Sequence, residues 1–252
     1  MSAPPDIIIS VHDLTVGYAG QVVLQRINFE VRRGEVFAIL GTSGSGKSTL
    51  LKNLMGLYRP MAGDVLIEGR SIVTAVGRDR LRLLRRFGVL YQSGALFGSM
   101  TVLENVRLPL DAFTRLPMVD KDLVALSKLK LVDLNVSPTR LPAELSGGMQ
   151  KRAALARAIV ADPCILFLDE PSAGLDPITS AGLDALFKEL SRGSGITLVI
   201  VTHELPSIYA IANRVILLDA ETKTIVAEGN PLDLRDHATD PLVRRFFRRE
   251  AA

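Results

Sequence analysis

Val36-Phe-Ala-Ile-Leu-Gly41-Thr42-Ser43-Gly44-Ser45-Gly46-Lys47-Ser48-Thr49 is the stretch on which the reading of this chain turns. Its uninterrupted apolar run, Val36 to Leu40, describes a strand buried on both faces, as in a parallel sheet covered by helices. Gly41 to Ser48 then fits G-x-x-x-x-G-K-[ST] in full, and a helical pattern follows to about Leu57, closed by Gly56 and Pro60. The glycines let the backbone wrap a polyphosphate with its N–H groups, while the helix N-terminus adds positive potential. In such a loop Lys47 reaches the β- and γ-phosphates, and the Ser48 hydroxyl is a ligand for Mg²⁺. A chance glycine-rich loop lacks the buried strand before it and the helix after it.

Further along, Ile165-Leu-Phe-Leu-Asp169-Glu170 is a second buried strand that ends in two acids. Asp169 is suited to hold Mg²⁺ directly or through water. Glu170 is then placed to accept a proton from the attacking water. Between the two strands, Leu145-Ser146-Gly147-Gly148-Met149-Gln150 reads as a serine cap and two glycines opening a helix, a second anion-binding helix terminus. Taken alone it is a capped helix after a loop.

The remainder of the chain supplies the frame. Its 252 residues suit one large α/β domain, with or without a small lobe. The first thirty residues read as an antiparallel β lobe, and Val65 to Glu68 and Phe87 to Tyr91 as further strands with a basic segment between them. From Thr101 to about Ala161 the pattern is helical, opened by a capping box, Thr101-x-x-Glu104, and punctuated by Pro109, Pro117, Pro138 and Pro142. Strands and helices then alternate: a helix after Asp176-Pro177, a strand over Ile196 to Val201, a helix near Ile208 and a hairpin around Ala220. No apolar run approaches the roughly 18–20 residues that span a bilayer. The N-terminal MSAPPDIIIS has no basic region followed by an apolar stretch, so no secretory signal is expected, and the chain is expected in the cytoplasm. The single Cys164 excludes an internal disulfide and a multi-cysteine metal site, and reads as a small core residue. A net charge of +3 gives little support for a nucleic-acid surface.

In this order the three motifs resemble those of ABC ATPases, whose signature is LSGGQ in its commonest form; Met149 stands where that form has Gln. The resemblance covers essentially the whole chain. It implies an α/β P-loop NTPase of ABC type, with a mostly parallel RecA-like core, an antiparallel β lobe and a helical subdomain. The corresponding ranges are about 1–98 and 162–230 for the core and β lobe, 99–161 for the helical signature subdomain and 231–252 for a tail. It also implies Mg²⁺-dependent hydrolysis of ATP, with Gly41 through Thr49 around the nucleotide and Ser48, Gln92 and Asp169 at the metal. Tyr18 matches the aromatic that stacks on adenine; its plainer reading is an ordinary strand tyrosine. Gln92, after the strand Phe87 to Tyr91, matches the glutamine that senses Mg²⁺ and water and contacts a membrane partner. Asp176, in Ser-Ala-Gly-Leu-Asp, matches the loop crossing the dimer interface. His203, in Val-Thr-His-Glu, matches the histidine at the γ-phosphate. Glu170, His203 and Gln92 are thus the expected catalytic set. The family's head-to-tail homodimer would place each ATP between the phosphate loop of one chain and Ser146, Gly147, Gly148, Met149 and Gln150 of the other.

Three stretches narrow the resemblance. Tyr91-Gln-Ser-Gly-Ala-Leu-Phe97, Asp176-Pro-Ile-Thr-Ser180 and Asp240-Pro-Leu-Val-Arg-Arg-Phe-Phe247 look like the ATPases of Mla-type systems, bacterial transporters that move phospholipids between the inner and outer membranes. This implies a membrane permease, an MCE-domain substrate-binding protein and a STAS-domain accessory protein as partners. Phospholipid would be handled by those partners and no nucleic acid bound, with the chain peripheral on the cytoplasmic face of the inner membrane. One alternative is the ATPase of an importer for a small polar solute such as an amino acid, a class without the Gln-Ser-Gly-Ala-Leu-Phe run. The other is a non-transport ABC protein acting on nucleic acid or ribosomes, which commonly carries two cores or large insertions; here there is one core and no long heptad run. Arg78 to Arg86 reads as a solvated amphipathic helix. Val243-Arg-Arg-Phe-Phe-Arg-Arg249 is either a short helix packing its phenylalanines on its own domain or an anchor for a neighbouring chain.

Overall fold

The computed structural model describes residues 6–249; the outermost residues of the N-terminal stretch and of the tail (1–5 and 250–252) lie outside it. The chain opens with a long hairpin of β1 (Ile7–Tyr18) and β2 (Gln21–Arg32), then β3 (Val36–Gly41) and α1 (Lys47–Leu54). After β4 (Ala62–Ile67) and β5 (Arg70–Ser71) come α2 (Gly77–Leu84) and β6 (Phe87–Leu90). A helical stretch follows: α3 (Val102–Phe113), α4 (Met118–Leu131) and α5 (Gly147–Ile159). The second half of the core is β7 (Ile165–Asp169), α6 (Pro177–Ser194), β8 (Thr197–Val201), α7 (Leu205–Ile211), β9 (Arg214–Asp219) and β10 (Thr224–Gly229). Two short helices, α8 (Pro231–His237) and α9 (Pro241–Arg248), complete the described chain.

The strands form two sheets, one four-stranded in the order β2-β1-β4-β5 and one six-stranded in the order β10-β9-β3-β8-β7-β6. The smaller sheet is antiparallel, and in the larger one only β10 runs against its neighbour. Every residue of β3 is buried. The reason is that its alternating side chains enter two different cores. Phe37 and Ile39 pack with the β lobe and with Leu50, Leu51 and Leu54 of α1, whereas Val36, Ala38 and Leu40 face a second core built with α5, α6 and α7. Two apolar faces remove the alternation a half-exposed strand would show.

Helices α3, α4 and α5 pack on one another beside β6. The capping box forms: Glu104 N–H donates to Thr101 Oγ1 (3.2 Å) and Thr101 N–H to Glu104 Oε2 (2.7 Å). Pro109 is not a boundary, as its reading as punctuation would have it, but an interior residue of α3. It forgoes one helical hydrogen bond, a loss the tertiary packing of α3 on α4 and α5 outweighs. In the tail, Val243 and Phe247 enter the main core and Tyr209 O–H donates to the Phe247 carbonyl. That is the own-domain packing, with Arg244, Arg245 and Arg248 left exposed. Cys164 is half-buried, its thiol donating to the Arg86 carbonyl at 3.2 Å.

Candidate functional site

The parallel strands of the large sheet all run toward one edge, and the functional residues sit just beyond it. β3 delivers Gly41, β6 is followed by Gln92, β7 ends in Asp169 and is followed by Glu170, and β8 is followed by His203. Ligands of open α/β sheets bind at this carboxyl edge. Gly41 has no alternative there: a Cβ would lie 2.3 Å from Ser45 Oγ and 2.7 Å from the Leu218 carbonyl. Gly46 caps α1 in the left-handed region (φ 92°), with no side-chain cap and no acid in the first turn. The first N–H groups and the positive end of α1 are therefore open to an anion.

Lys47 folds back over this loop, its Nζ donating to the carbonyls of Gly41 (2.8 Å) and Thr42 (2.9 Å). Burial lowers its pKa, against the opposing pull of Glu170 and Asp169. A cavity of about 750 Å³ opens here, lined by the Gly41–Thr49 loop, Gln92, Glu170, His203 and, from α9, Phe246. That volume lies within the range of small-molecule sites. Glu170 accepts from His203 Nδ1 at 2.8 Å, and its backbone is held in the left-handed region at φ 45°. Left-handed backbone is costly for a residue with a Cβ and collects at functional sites.

Two carboxylate oxygens, Asp169 Oδ1 and Glu170 Oε2, are buried with no hydrogen-bond partner. Burial, then the charge of Glu170, raises the Asp169 carboxyl above its ordinary value. Glu170 lines the cavity with the exposed Ser48, and Asp169 immediately precedes Glu170 without itself being part of the lining; buried acceptors without donors at this place fit a divalent cation with oxygen ligands. Tyr18 does not line the cavity but adjoins it: its hydroxyl is 2.9 Å from Thr49 Oγ1 and its ring meets Tyr58 edge-on.

The signature segment lies elsewhere. Ser146 caps α5 by accepting from Met149 N–H at 3.3 Å. Ser146, Gly147, Gly148 and Met149 line a separate cavity of about 650 Å³ with Asp176 and Ile178. Gln150 turns away from it and donates to the carbonyls of Pro142 (3.1 Å) and Leu145 (3.3 Å). Asp176 is occupied as the cap of α6, accepting from Ile178 N–H, Thr179 N–H and Thr179 O–H, which hold its carboxyl below the usual range. Ile178 is 86% exposed, an apolar side chain presented to solvent beside the signature. One chain thus brings together the phosphate loop, Gln92, Glu170 and His203, and keeps Ser146 to Met149 and Asp176 apart from them.

Three residues of this neighbourhood escaped the reading of the motifs. Lys151 Nζ donates to the Gln92 carbonyl and to that of Glu170 (3.4 Å). Arg157 donates to the carbonyls of Gly94 and Ala95, and Asn105, fully buried, holds Phe97 through both its side-chain oxygen and its nitrogen. A signal existed for Lys151: it shares a helical face with Ala154, Leu155 and Ala158, so a charge interrupts a buried stripe.

Comparison with known proteins identifies the family. Residues 24–173 match the family model for ABC transporters. The chain is 40% identical over 241 residues to the intermembrane phospholipid transport system ATP-binding protein MlaF of Escherichia coli K12, covering 95% of this chain and 88% of the relative. It is 37% identical over 244 residues to the probable ribonucleotide transport ATP-binding protein mkl of Mycobacterium leprae, covering 97% and 70%. Among solved structures, the dimeric ATP-binding cassette MJ0796, in a post-hydrolysis state bound to ADP and Pi, superposes with a TM-score of 0.81 at 30% identity, covering 88% of this chain and 98% of that one.

Proposed function

This chain belongs to the ABC transporter family, and from that premise we propose that it is the ATP-hydrolysing subunit of a bacterial Mla-type phospholipid transporter, working as a homodimer on the cytoplasmic face of the inner membrane. The observation that carries the dimer is the separation of the two half-sites within one chain, each in its own cavity. A second copy arranged head to tail would bring a signature segment to each phosphate loop. The exposed Ile178 beside the signature supports a surface meant to be covered.

In the proposed mechanism the loop Gly41–Thr49 and the open end of α1 bind the phosphates, and Lys47 exchanges its loop carbonyls for phosphate oxygens. Ser48, Gln92 and Asp169 would hold Mg²⁺, which when bound neutralises charge developing on the phosphates. Glu170, oriented by His203, takes the proton of the attacking water. The chain's ranges then read as ATP-binding core and β lobe (1–98 and 162–230), helical signature subdomain (99–161) and tail (231–252).

An apolar groove of about 440 Å³ runs between β6 and α3, lined by Phe87, Tyr91, Phe97, Leu108, Pro109 and Phe113. It begins beside Gln92, which supports its use as the socket for a coupling helix of the permease. Among the described residues no helix is long and apolar enough to cross a membrane, so the membrane path would lie in that permease. The exposed apolar face of α4 (Val119, Leu123, Leu126) leaves room for a further protein such as the STAS-domain accessory, and an MCE protein would complete the assembly.

Coexpression with its genomic neighbours tests the cargo: the chain should copurify with a multi-span permease and an MCE protein, and the complex should carry phospholipid. The likeness to the probable ribonucleotide transport ATP-binding protein of Mycobacterium leprae favours ribonucleotide as a second reading, which bound nucleotide cargo and absence of lipid would support. A complex with a soluble amino-acid-binding protein would remove both readings and leave the ATPase assignment intact.

A further inference from the structure

Lys151 is the one lysine more than nine-tenths buried among the described residues, at 6% exposure. Burial lowers its pKa, opposed by the charges of Asp169 and Glu170. A buried ammonium is unfavourable unless its donors are used. Here they are used on two backbone carbonyls that belong to different loops. The Gln92 carbonyl follows β6 and the Glu170 carbonyl follows β7, and those strands are hydrogen-bonded neighbours. Glu170 is among the non-glycine residues with left-handed backbone (φ 45°), so its peptide orientation is a point the surroundings must enforce. Lys151 is also the fifth residue of α5, the helix whose first turn is the signature.

We propose that Lys151 is a positioning residue for hydrolysis: its ammonium holds the Gln92 and Glu170 carbonyls together and ties this catalytic edge to the signature helix. Movement of α5 when a second chain engages its N-terminus is then transmitted to Gln92 and Glu170 of the same chain. The two ATP sites of the dimer are thereby linked through one side chain in each protomer. The role rests on Glu170 being the base, and the test separates the two assignments.

Turnover, KM for ATP and nucleotide affinity would be measured on the full chain for Lys151→Met, Lys151→Arg, Glu170→Gln and the Lys151→Met/Glu170→Gln double variant. Displacing a catalytic group by about 1 Å can cost on the order of 10²-fold in rate. Lys151→Met should therefore lower kcat by roughly 10- to 100-fold, with KM changed less than about threefold. Lys151→Arg, which keeps the charge, should recover most of the loss. If Lys151 acts through Glu170, adding Lys151→Met to Glu170→Gln should lower the residual rate by less than about twofold, because effects within one unit do not add. Should the methionine variant fail to fold, Lys151→Gln enters the same cycle. A kcat within twofold of wild type for Lys151→Met, or a full additional loss in the double variant, overturns the positioning role alone. Wild-type turnover in Glu170→Gln overturns the base assignment and this role with it.

Discussion

Two helices of this chain begin at glycine-bearing, serine-containing turns, and the molecule treats them differently. α1 starts at Gly46 with no side chain over its N–H groups, at the edge where Glu170 and His203 arrive from neighbouring strands. α5 starts at Ser146, which caps it, and opens on a cavity that neither Glu170 nor His203 of its own chain lines. In the proposed function the first is an anion site with its chemistry beside it, and the second an anion site that receives its chemistry from the other chain. Local sequence makes each of them a helix start. Only the sheet brings Gln92, Glu170 and His203 to one of them.

The largest effect expected is at α1. Lys47→Ala removes the charge facing the β- and γ-phosphates and should abolish turnover and weaken ATP binding. Unchanged hydrolysis by the purified variant would dismantle the assignment of α1 as the nucleotide end.

The comparison is sharpened by pairing that variant with one at α5. A Cβ on Gly148 would come 2.7 Å from Thr179 Cγ2, and Gly148→Asp adds a negative charge where an anion should bind. Each variant alone should be inactive, yet a mixture should regain one good composite site per heterodimer. Absence of rescue, together with a rate strictly linear in protein concentration, would make each chain self-sufficient.

A smaller effect concerns the unpartnered carboxylate. Burial raises the Asp169 pKa, so the ionised form weakens the folded state at pH values above that raised pKa. The penalty is relieved as pH falls from that raised pKa toward the ordinary carboxyl value. Asp169→Asn should therefore abolish Mg²⁺-dependent turnover while raising the melting temperature of the nucleotide-free protein at neutral pH, by about 2–4 °C per kcal/mol of penalty removed. The gap should close in acidic buffer, as followed by thermal scans. A variant less stable than wild type at neutral pH would mean the carboxylate is compensated.

The smallest effect is at the Ser146 cap. Ser146→Ala should cost about 1 kcal/mol of stability, read in denaturant unfolding. The nucleotide-binding end of the same chain should be untouched.

Much of this was legible because it is local. The Thr101–Glu104 box and the caps of α5 and α6 by Ser146 and Asp176 are contacts between residues two or three apart, so spacing alone determines them. The uninterrupted Val36–Leu40 run likewise required a strand covered on both faces. Other outcomes depended on strand order. Because β6, β7 and β8 are adjacent, Gln92, Glu170 and His203 meet at one edge although far apart in the chain. Gln150 spends its side chain on Pro142 and Leu145, while Lys151, its neighbour, reaches Gln92 and Glu170 across 59 and 19 residues. Pro109 stays inside α3 because packing on α4 and α5 outweighs the hydrogen bond it cannot make. Sequence by itself determined the helix starts and the phosphate loop, since those depend on contacts within one turn. Which carbonyls a buried cation would clamp was decided only when distant strands were laid side by side.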